Sequence, residues 1–456
     1  MIKYVSTRGG GSPVSFLEAF AAGLAPDGGL YVPQRLPRLP TDLRRGDAQP
    51  YAAEAFDFFR LFDGEHPGEE LAAIMDASYG SFSDDPNAPL VQLDQGLFVL
   101  ELFHGPTLAF KDFGLQLLGN LFQDQIRRTG EAINVLGATS GDTGAAAIHG
   151  LAGKEGANVF ILYPEGRISP LQERQMTCTG AANIFPIPIK GTFDDAQRIV
   201  KEIFGDAEVK QKLHLSAINS INLVRVLAQA VYYVHAFLQL PEECRDNVNF
   251  VVPTGNFGNV FAAWMAHRMG LPTKRLTVAT NRNDILFRFF NSGVYAPSEV
   301  VPSWSPSMDI QVASNFERLL YYECDEDGEK VASLMRQAAE TGRVEVPDFD
   351  PGIFTATRCD DDGIIANIRR VHETYDYIVD PHTACGFQDI DSDETTVVLA
   401  TAHPAKFPET IHKAIGQRPT HPALDALKKI DPVRYPLPAN AAAVREFIET
   451  HAAGRA

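Results

Sequence analysis

A chain of 456 residues is long for a single hydrophobic core, so two or three subdomains are expected. Hydrophobic residues at 45% and charged residues at 21% are ordinary globular usage and exclude disorder as the main state. The 58 acidic residues outweigh the 40 basic ones, and the resulting net charge of −18, with no offsetting Lys/Arg cluster, disfavours a nucleic-acid partner.

Residues 1–12 are polar and glycine-rich, without the apolar run of a secretion signal. No apolar run of about 18 residues follows, so no membrane association and a soluble, cytoplasmic protein are expected. Pro33, Pro37, Pro40 and Pro50 punctuate the opening segment, before helical patterns over 51–60 and 69–79. The polar stretch 83–89, with two prolines, reads as a linker, and residues 1–95 are expected to form an N-terminal subdomain. Beyond it, short apolar runs alternate with amphipathic stretches. Strands are expected over 97–102, 132–138, 159–163, 184–189, 250–253, 276–280 and 396–400, with helices over 115–127, 193–204, 224–238 and 260–269 among those between them. Strands rich in Val and Ile on both faces, spaced by helices, define an α/β fold with buried parallel sheets. From about Asp425 the chain alternates helix-like pieces with prolines and reads as packing or a cap. The five cysteines are scattered with no C-x-x-C pair, so neither a disulfide framework nor a zinc ribbon is expected. His372, His382 and His403 lack partners at ligand spacing, and no metal is expected.

In such sheets ligands gather at the carboxyl ends of strands, and the loops there carry the chemistry. Gly137-Ala-Thr-Ser-Gly-Asp-Thr-Gly144 follows one strand and opens a helix, leaving backbone N–H groups for an anion. It has neither a Walker lysine nor the G-x-G-x-x-G spacing of a dinucleotide fold, which disfavours a nicotinamide enzyme, and a plain tight turn is the alternative. Thr254-Gly-Asn-Phe-Gly-Asn259 follows another strand; its two glycines allow a sharp turn whose amides suit a phosphate. Together the two loops suggest a ligand with two separate anionic groups. His104-Gly-Pro-Thr-Leu-Ala-Phe-Lys-Asp-Phe-Gly114 sets Lys111 among apolar residues. A lysine at a helix edge ordinarily snorkels to water; buried, it loses its proton more readily and becomes an imine-forming nucleophile. Thr401 and His403 follow the last clear strand, and Asn219, Ser220, Asn222 and Arg225 fall within two helical turns. Taken singly, each of these is ordinary polar decoration.

Taken together, the segments resemble threonine synthase in its longer form. Tyr4-Val-Ser-Thr-Arg-Gly9 and Gly23-Leu-Ala-Pro-Asp-Gly-Gly-Leu-Tyr-Val-Pro33 are similar to that family's N-terminal signature. The segment from His104 to Gly114 is similar to its cofactor-lysine motif. Thr139-Ser-Gly-Asp-Thr-Gly144, His214-Leu-Ser-Ala-Ile-Asn-Ser-Ile-Asn222, Pro253-Thr-Gly-Asn-Phe-Gly-Asn259, Ser307-Met-Asp-Ile-Gln-Val312, Asp380-Pro-His-Thr-Ala384 and Thr401-Ala-His-Pro-Ala-Lys-Phe407 follow its pattern in order. Leu223 stands where an aromatic is expected, and the stretch after Pro404 is less recognisable.

The resemblance implies a pyridoxal 5'-phosphate enzyme of fold type II, tryptophan synthase β-like, with two α/β lobes and an added N-terminal subdomain. Residues 96–114 and 211–456 would form the large cofactor-binding lobe with a C-terminal cap, and 115–210 the small lobe. It implies that Lys111 binds the cofactor covalently and transfers protons, that Gly255, Asn256, Phe257, Gly258 and Asn259 hold the cofactor phosphate, and that Thr401 faces the ring nitrogen. For the implied substrate, O-phospho-L-homoserine, Ser140, Thr143 and their neighbouring amides suit the α-carboxylate, and Thr139 and Asp142 belong to the same substrate-binding loop. Asn219, Ser220, Asn222 and Arg225 suit either the γ-phosphate or the cofactor's phenolic oxygen; the departing phosphate is the candidate proton acceptor, with His104 the weaker alternative. A related lyase releasing 2-ketobutyrate and a non-catalytic cofactor-binding homologue are the alternatives, and either a monomer or a homodimer is compatible with the chain.

Overall fold

The computed structural model describes residues 1–84, 86–139, 141–346, 349–390 and 394–454; Ser140 of the Gly137–Gly144 loop and Asp85 of the expected linker lie outside the described residues. The chain divides into two compact units, Met1–Phe110 with Ser220–Pro419 and Lys111–Asn219 with Thr420–Ala456.

The first unit is built on a six-stranded sheet in the order Phe354–Arg358, Arg275–Thr280, Asn249–Pro253, Thr396–Ala400, Leu97–Glu101, Leu90–Asp94. All neighbours are parallel except the last pair, which is antiparallel with an irregularity between Gln92 and Asp94. Asn249–Pro253 and Thr396–Ala400 are buried at every position, as a parallel strand covered on both faces must be. Val99, Val251 and Val398 pack with Ile364, Ile368 and Val371 of the Asp361–Tyr375 helix. The Leu223–Gln239 and Gly258–Arg268 helices pack against each other and are buried over most of their length. The expected strands form within two residues of their sequence bounds. Leu90–Asp94 and Phe354–Arg358 were not expected, because edge strands are only partly buried and their mixed polar pattern carries no continuous apolar run.

The N-terminal segment adds a two-stranded antiparallel ribbon, Tyr4–Ser6 with Tyr31–Pro33, and helices Phe16–Ala22, Tyr51–Phe59 and Gly68–Tyr79. Ser15 and Glu18 form a capping box at the first helix. Buried polar pairs tie this segment to the rest of the unit: the Thr7 hydroxyl donates to Glu317 at 2.6 Å, and the His235 ring lies 2.7 Å from Glu54.

The second unit carries a four-stranded parallel sheet, Ile184–Ile189, Ala157–Pro164, Ile133–Ala138, Leu215–Ala217. The Lys111–Thr129 and Asp142–Leu151 helices touch backbone to backbone. A Cβ on Gly119 would lie 2.0 Å from the Gly150 carbonyl oxygen, and one on Gly150 would lie 2.4 Å from that of Leu115. Residues from Thr420 onward belong to this unit, whereas the sequence reading attached everything from 211 to the large lobe. The reason is apolar: the Ala441–His451 helix inserts Ala441, Val444 and Ile448 among Leu136, Phe160, Phe185 and Ile187. Hydrogen bonds reinforce it, with Arg174 donating to the carbonyls of Leu427 (2.6 Å) and Ile430 (2.7 Å). Among the described residues no helix is long and apolar enough to cross a membrane.

The Gly150 contact sets a stability prediction. Gly150→Ala gains about 1 kcal/mol of helix propensity yet forces Cβ into a backbone oxygen, and overpacking of this kind costs about 1–3 kcal/mol. The denaturation midpoint in urea is expected to fall; a midpoint at or above that of the parent would show that the two helices part without penalty.

Candidate active site

In the first unit the Asn249–Pro253 strand ends at Thr254, whose hydroxyl donates to the Val252 carbonyl at 2.6 Å. The turn that follows is taken at Phe257, with φ 64°, rather than at either glycine. A left-handed phenylalanine is a strained residue, and its ring is held among those of Phe290, Phe316 and Phe354. The glycines serve close approach. A Cβ on Gly255 would lie 3.0 Å from Ile310 Cδ1 and 3.1 Å from the Ser307 carbonyl oxygen. The Gly258–Arg268 helix then starts without a side-chain cap, so its first N–H groups and the positive end of its dipole face the loop.

Asn256 is fixed through its carbonyl, which accepts from the Asn315 N–H (3.0 Å) and Nδ2 (3.2 Å), and through Oδ1, which accepts from Ser314. Ser220 Oγ lies 2.9 Å from Ser314 Oγ, so this serine joins the loop's support. Asn259 Oδ1 accepts the hydroxyls of Tyr232 and Tyr233, while its Nδ2 is buried without a hydrogen-bond partner. Beneath Asn315 sits Arg318, fully buried, which donates to Asn315 and to the carbonyls of Tyr31 and Ile221. Burial lowers its guanidinium pKa to about 10, as it does for Arg225, so both remain cationic at neutral pH.

Thr401 follows the central strand and is pinned at both ends: its N–H donates to Thr383 Oγ1 at 3.1 Å and its carbonyl accepts the Phe110 N–H at 2.9 Å. Leu108, three residues before Lys111, is left-handed at φ 59° and its carbonyl accepts the His403 N–H. Lys406, almost fully buried, donates Nζ to the Thr107 carbonyl at 2.8 Å and so braces the same loop. His104 has Glu101 Oε2 at 2.8 Å from Nε2 and Asp84 beside Nδ1, so both ring nitrogens face carboxylates. Asn222 caps the Leu223–Gln239 helix: Oδ1 accepts the Val224 N–H and Nδ2 donates to the Phe20 carbonyl, both at 3.0 Å. Both ends of that amide are committed to the fold, and this capping role is what the Asn-x-Val pattern also permits.

In the second unit Lys111 is the first residue of its helix, and its Nζ lies 3.7 Å from Asp142 Oδ2. Asp142 is the first residue of the neighbouring helix, buried, and its Oδ1 accepts from Gln172 at 3.1 Å. The glycine contact described above therefore aligns two helix N-termini with a lysine on one and a carboxylate on the other. Thr139 shapes the loop between strand and helix, its hydroxyl oxygen accepting the N–H groups of Gly141 (3.0 Å) and Gly144 (2.9 Å). Gly141, at φ 143°, is a position only glycine takes easily, and a Cβ there would strike Gln172. Thr143 is half-buried and Asn219 half-buried at the end of this unit's chain segment.

Thus several of the expected residues gather in three clusters: the 255–259 loop with Ser220, Thr401 with the approach to Lys111, and Lys111 with Asp142. Sequence reasoning missed Asn315, Arg318 and Lys406. Lys406 lies inside a quoted motif; Asn315 and Arg318 have no local signal, since an interior arginine is indistinguishable in sequence from a surface one. Among the described residues no group of three metal-ligating side chains occurs.

Residues 85–401 match the family model described as pyridoxal-phosphate dependent enzyme, which gives the class. The flanks narrow it. Residues 3–79 match the threonine synthase N terminus and residues 382–448 the threonine synthase C-terminal model, so the stretch after Pro404 also carries the family pattern. A threonine synthase of Pseudomonas aeruginosa is 43% identical over 99% of this chain and 98% of its own, and one of Schizosaccharomyces pombe 42% identical over 91% and 90%. The crystal structure of a PLP-bound threonine synthase from Brucella melitensis superposes with a TM-score of 0.95 at 42% identity, over 99% of this chain and all of that one. The chain belongs to the threonine synthase family and is an enzyme of the fold type II pyridoxal-phosphate class.

The residues present fit that cofactor. The 255–259 loop has the uncapped helix start and close backbone approach of a phosphate site, the buried Asn259 Nδ2 lacks an acceptor, and Lys111 supplies a primary amine. Gly255→Val should raise the dissociation constant for pyridoxal phosphate by about tenfold or more, one misplaced phosphate contact being worth about 1.5–3 kcal/mol, as read by fluorescence titration of the apoprotein. Unchanged affinity would show that this loop does not hold the phosphate.

Proposed function

We propose that this chain converts O-phospho-L-homoserine and water to L-threonine and phosphate, in the cytoplasm, with Lys111 as its covalent cofactor anchor and proton carrier. The observation that supports this reading best is the near full-length kinship with threonine synthases; a lysine at one helix start and an uncapped helix start after the 255–259 loop are compatible with it. All five cysteines are free thiols, in keeping with a reducing compartment.

In this reading the amides of residues 255–259 and Asn259 Nδ2 hold the cofactor phosphate, and the Thr401 hydroxyl faces the ring nitrogen. When bound, pyridoxal phosphate supplies an electron sink for charge developing at the substrate's α-carbon. A neutral hydroxyl at the ring nitrogen, in place of a carboxylate, leaves the ring less cationic, which suits a reaction that must also give up a proton at Cβ. Lys111 Nζ moves those protons, with Asp142 orienting the amine. Thr143, Ser140 and the helix start beside them bind the α-carboxylate, while Thr139 shapes that loop. Asn219, Ser220 and Arg225 are the groups for the γ-phosphate or the phenolic oxygen; Arg225 brings local positive charge to a molecule that is acidic as a whole. Phosphate then leaves Cγ, a proton is delivered to Cγ to make the methyl group, water adds its hydroxyl at Cβ, and Cα regains its proton.

Lys111→Ala should abolish both turnover and the visible absorption band, and a variant that still turns over would sink the lysine's role. Thr401→Ala should slow the reaction by about 10- to 1000-fold, the range for one transition-state contact, and should shift the cofactor spectrum. Products from O-phospho-L-homoserine decide the reaction itself: threonine matching phosphate one for one is expected, and phosphate with 2-ketobutyrate would move the activity to the lyase.

A further inference from the structure

Asp380 caps the short Pro381–Cys385 helix, and its carboxylate is almost completely buried. Four donors converge on it: the N–H groups of His382 (2.9 Å) and Thr383 (3.3 Å), the His382 ring Nδ1 (2.7 Å) and the Thr383 hydroxyl. A carboxylate only accepts, so each of these contacts fixes the direction of a proton. The Thr383 hydroxyl gives its proton to Asp380 Oδ2, and its oxygen lone pair is thereby aimed at the Thr401 N–H, 3.1 Å away. The Thr401 carbonyl in turn accepts from the N–H of Phe110, the residue preceding Lys111.

The other arm runs through His382. Its Nε2 accepts the Ser307 N–H at 3.1 Å, so the ring proton sits on Nδ1 and points at Asp380 Oδ1. Ser307 is the residue whose carbonyl lies against Gly255. Phe407 closes over the His382 ring, edge to face at 4.9 Å. One buried carboxylate thus orders two backbone segments, one bearing Thr401 and the other walling the 255–259 loop.

From this arrangement we infer that Asp380, acting through Thr383 and His382, is a positioning residue: it sets the backbone of Thr401 and the Ser307 turn while touching neither cofactor nor substrate. The inference rests on the reading of Thr401 as the ring-nitrogen partner, and it deepens that reading by naming what aims the hydroxyl. A uniform donor set also explains why a carboxylate stands at position 380. The amide end of an asparagine would face either the His382 N–H or the Thr383 hydroxyl, forcing one of them to reverse.

The test is Thr383→Val in the holoenzyme, which keeps the side-chain shape and removes the hydroxyl that both donates to Asp380 and accepts the Thr401 N–H, beside Thr383→Ser and Thr401→Ala. Hydrogen exchange of the peptide covering 401–403 should quicken by about fivefold in the valine variant, one lost hydrogen bond being worth about 1 kcal/mol. The cofactor absorption should move in the same direction as in Thr401→Ala, and kcat should fall by roughly 10- to 100-fold, as a shift of about 1 Å can produce. The serine variant should return all three towards the parent. A valine variant with parental exchange and a parental spectrum overturns the inference, even if its melting temperature is lower, since a merely structural threonine would change only the last. Thr383→Ala is read in the same way should valine prevent folding. Quickened exchange in the valine variant beside a silent Thr401→Ala would overturn the ring-nitrogen reading and uphold the positioning of the 401 backbone.

Discussion

The register of the central strand Thr396–Ala400 is the constraint from which the first unit's functional geometry follows. Its pairing sets Ala400 opposite Glu101 on one side and Val398 opposite Val251 on the other. Parallel strands held in that register end nearly level, so Leu102, Thr401 and Thr254 leave the sheet at the same edge. The pattern continues beyond the strands, with the Leu102 N–H donating to the Ala400 carbonyl at 3.0 Å and the Thr254 N–H to the Ala279 carbonyl at 2.8 Å. A slip of one residue would turn every side chain to the opposite face and displace the three loops from one another. Burial of the strand on both sides makes such a slip costly.

Around that edge the chain accepts local strain and desolvation where a freer design would avoid them. Leu108 and Phe257 are left-handed without being glycine, each costing on the order of 1 kcal/mol or more. Arg225, Arg318 and Lys406 are buried cations. For Arg318 and Lys406 the compensation is visible: the Tyr31 carbonyl at the start of a ribbon strand and the turn carbonyls of Ile221 and Thr107 meet their N–H groups, so these buried side chains supply donors to carbonyls. The aromatic box around Phe257 and the Thr401 hydrogen bonds do the same for the strained turns. The loops are irregular, yet they are held from several directions.

Much of this could be read from the residues, and what could not has physical causes. Buried parallel strands announce themselves as unbroken apolar runs, and both anion loops stood out because glycine and hydroxyl residues directly follow such runs. Edge strands such as Phe354–Arg358, half polar because half wet, gave no such signal. Asn222 was legible as polar and near the site, but the same amide serves a helix cap, and only coordinates distinguish the two uses. The turn assigned to the glycines of the 255–259 loop is made by Phe257, since tertiary aromatic packing overrides the backbone preference. Arg318 acts through partners far along the chain, at Tyr31 and Ile221, and no local pattern encodes that. Membership of the last helix in the second unit is likewise invisible locally, resting on a few apolar residues meeting a sheet made long before.

That last point bears on how the protein is made. Asn134, in the first strand of the four-stranded sheet, accepts the Ala453 N–H across a separation of 319 residues. A ribosome adding about 5–20 residues per second takes roughly 16–64 s to cover that interval. During it, the apolar sheet residues that Val444 and Ile448 finally cover lack that cover. Nascent chains therefore pass through a long window with an apolar sheet surface not yet fully covered, the circumstance in which holdase chaperones are engaged and aggregation competes with folding. Completion of this unit therefore waits until the closing helix has itself left the exit tunnel.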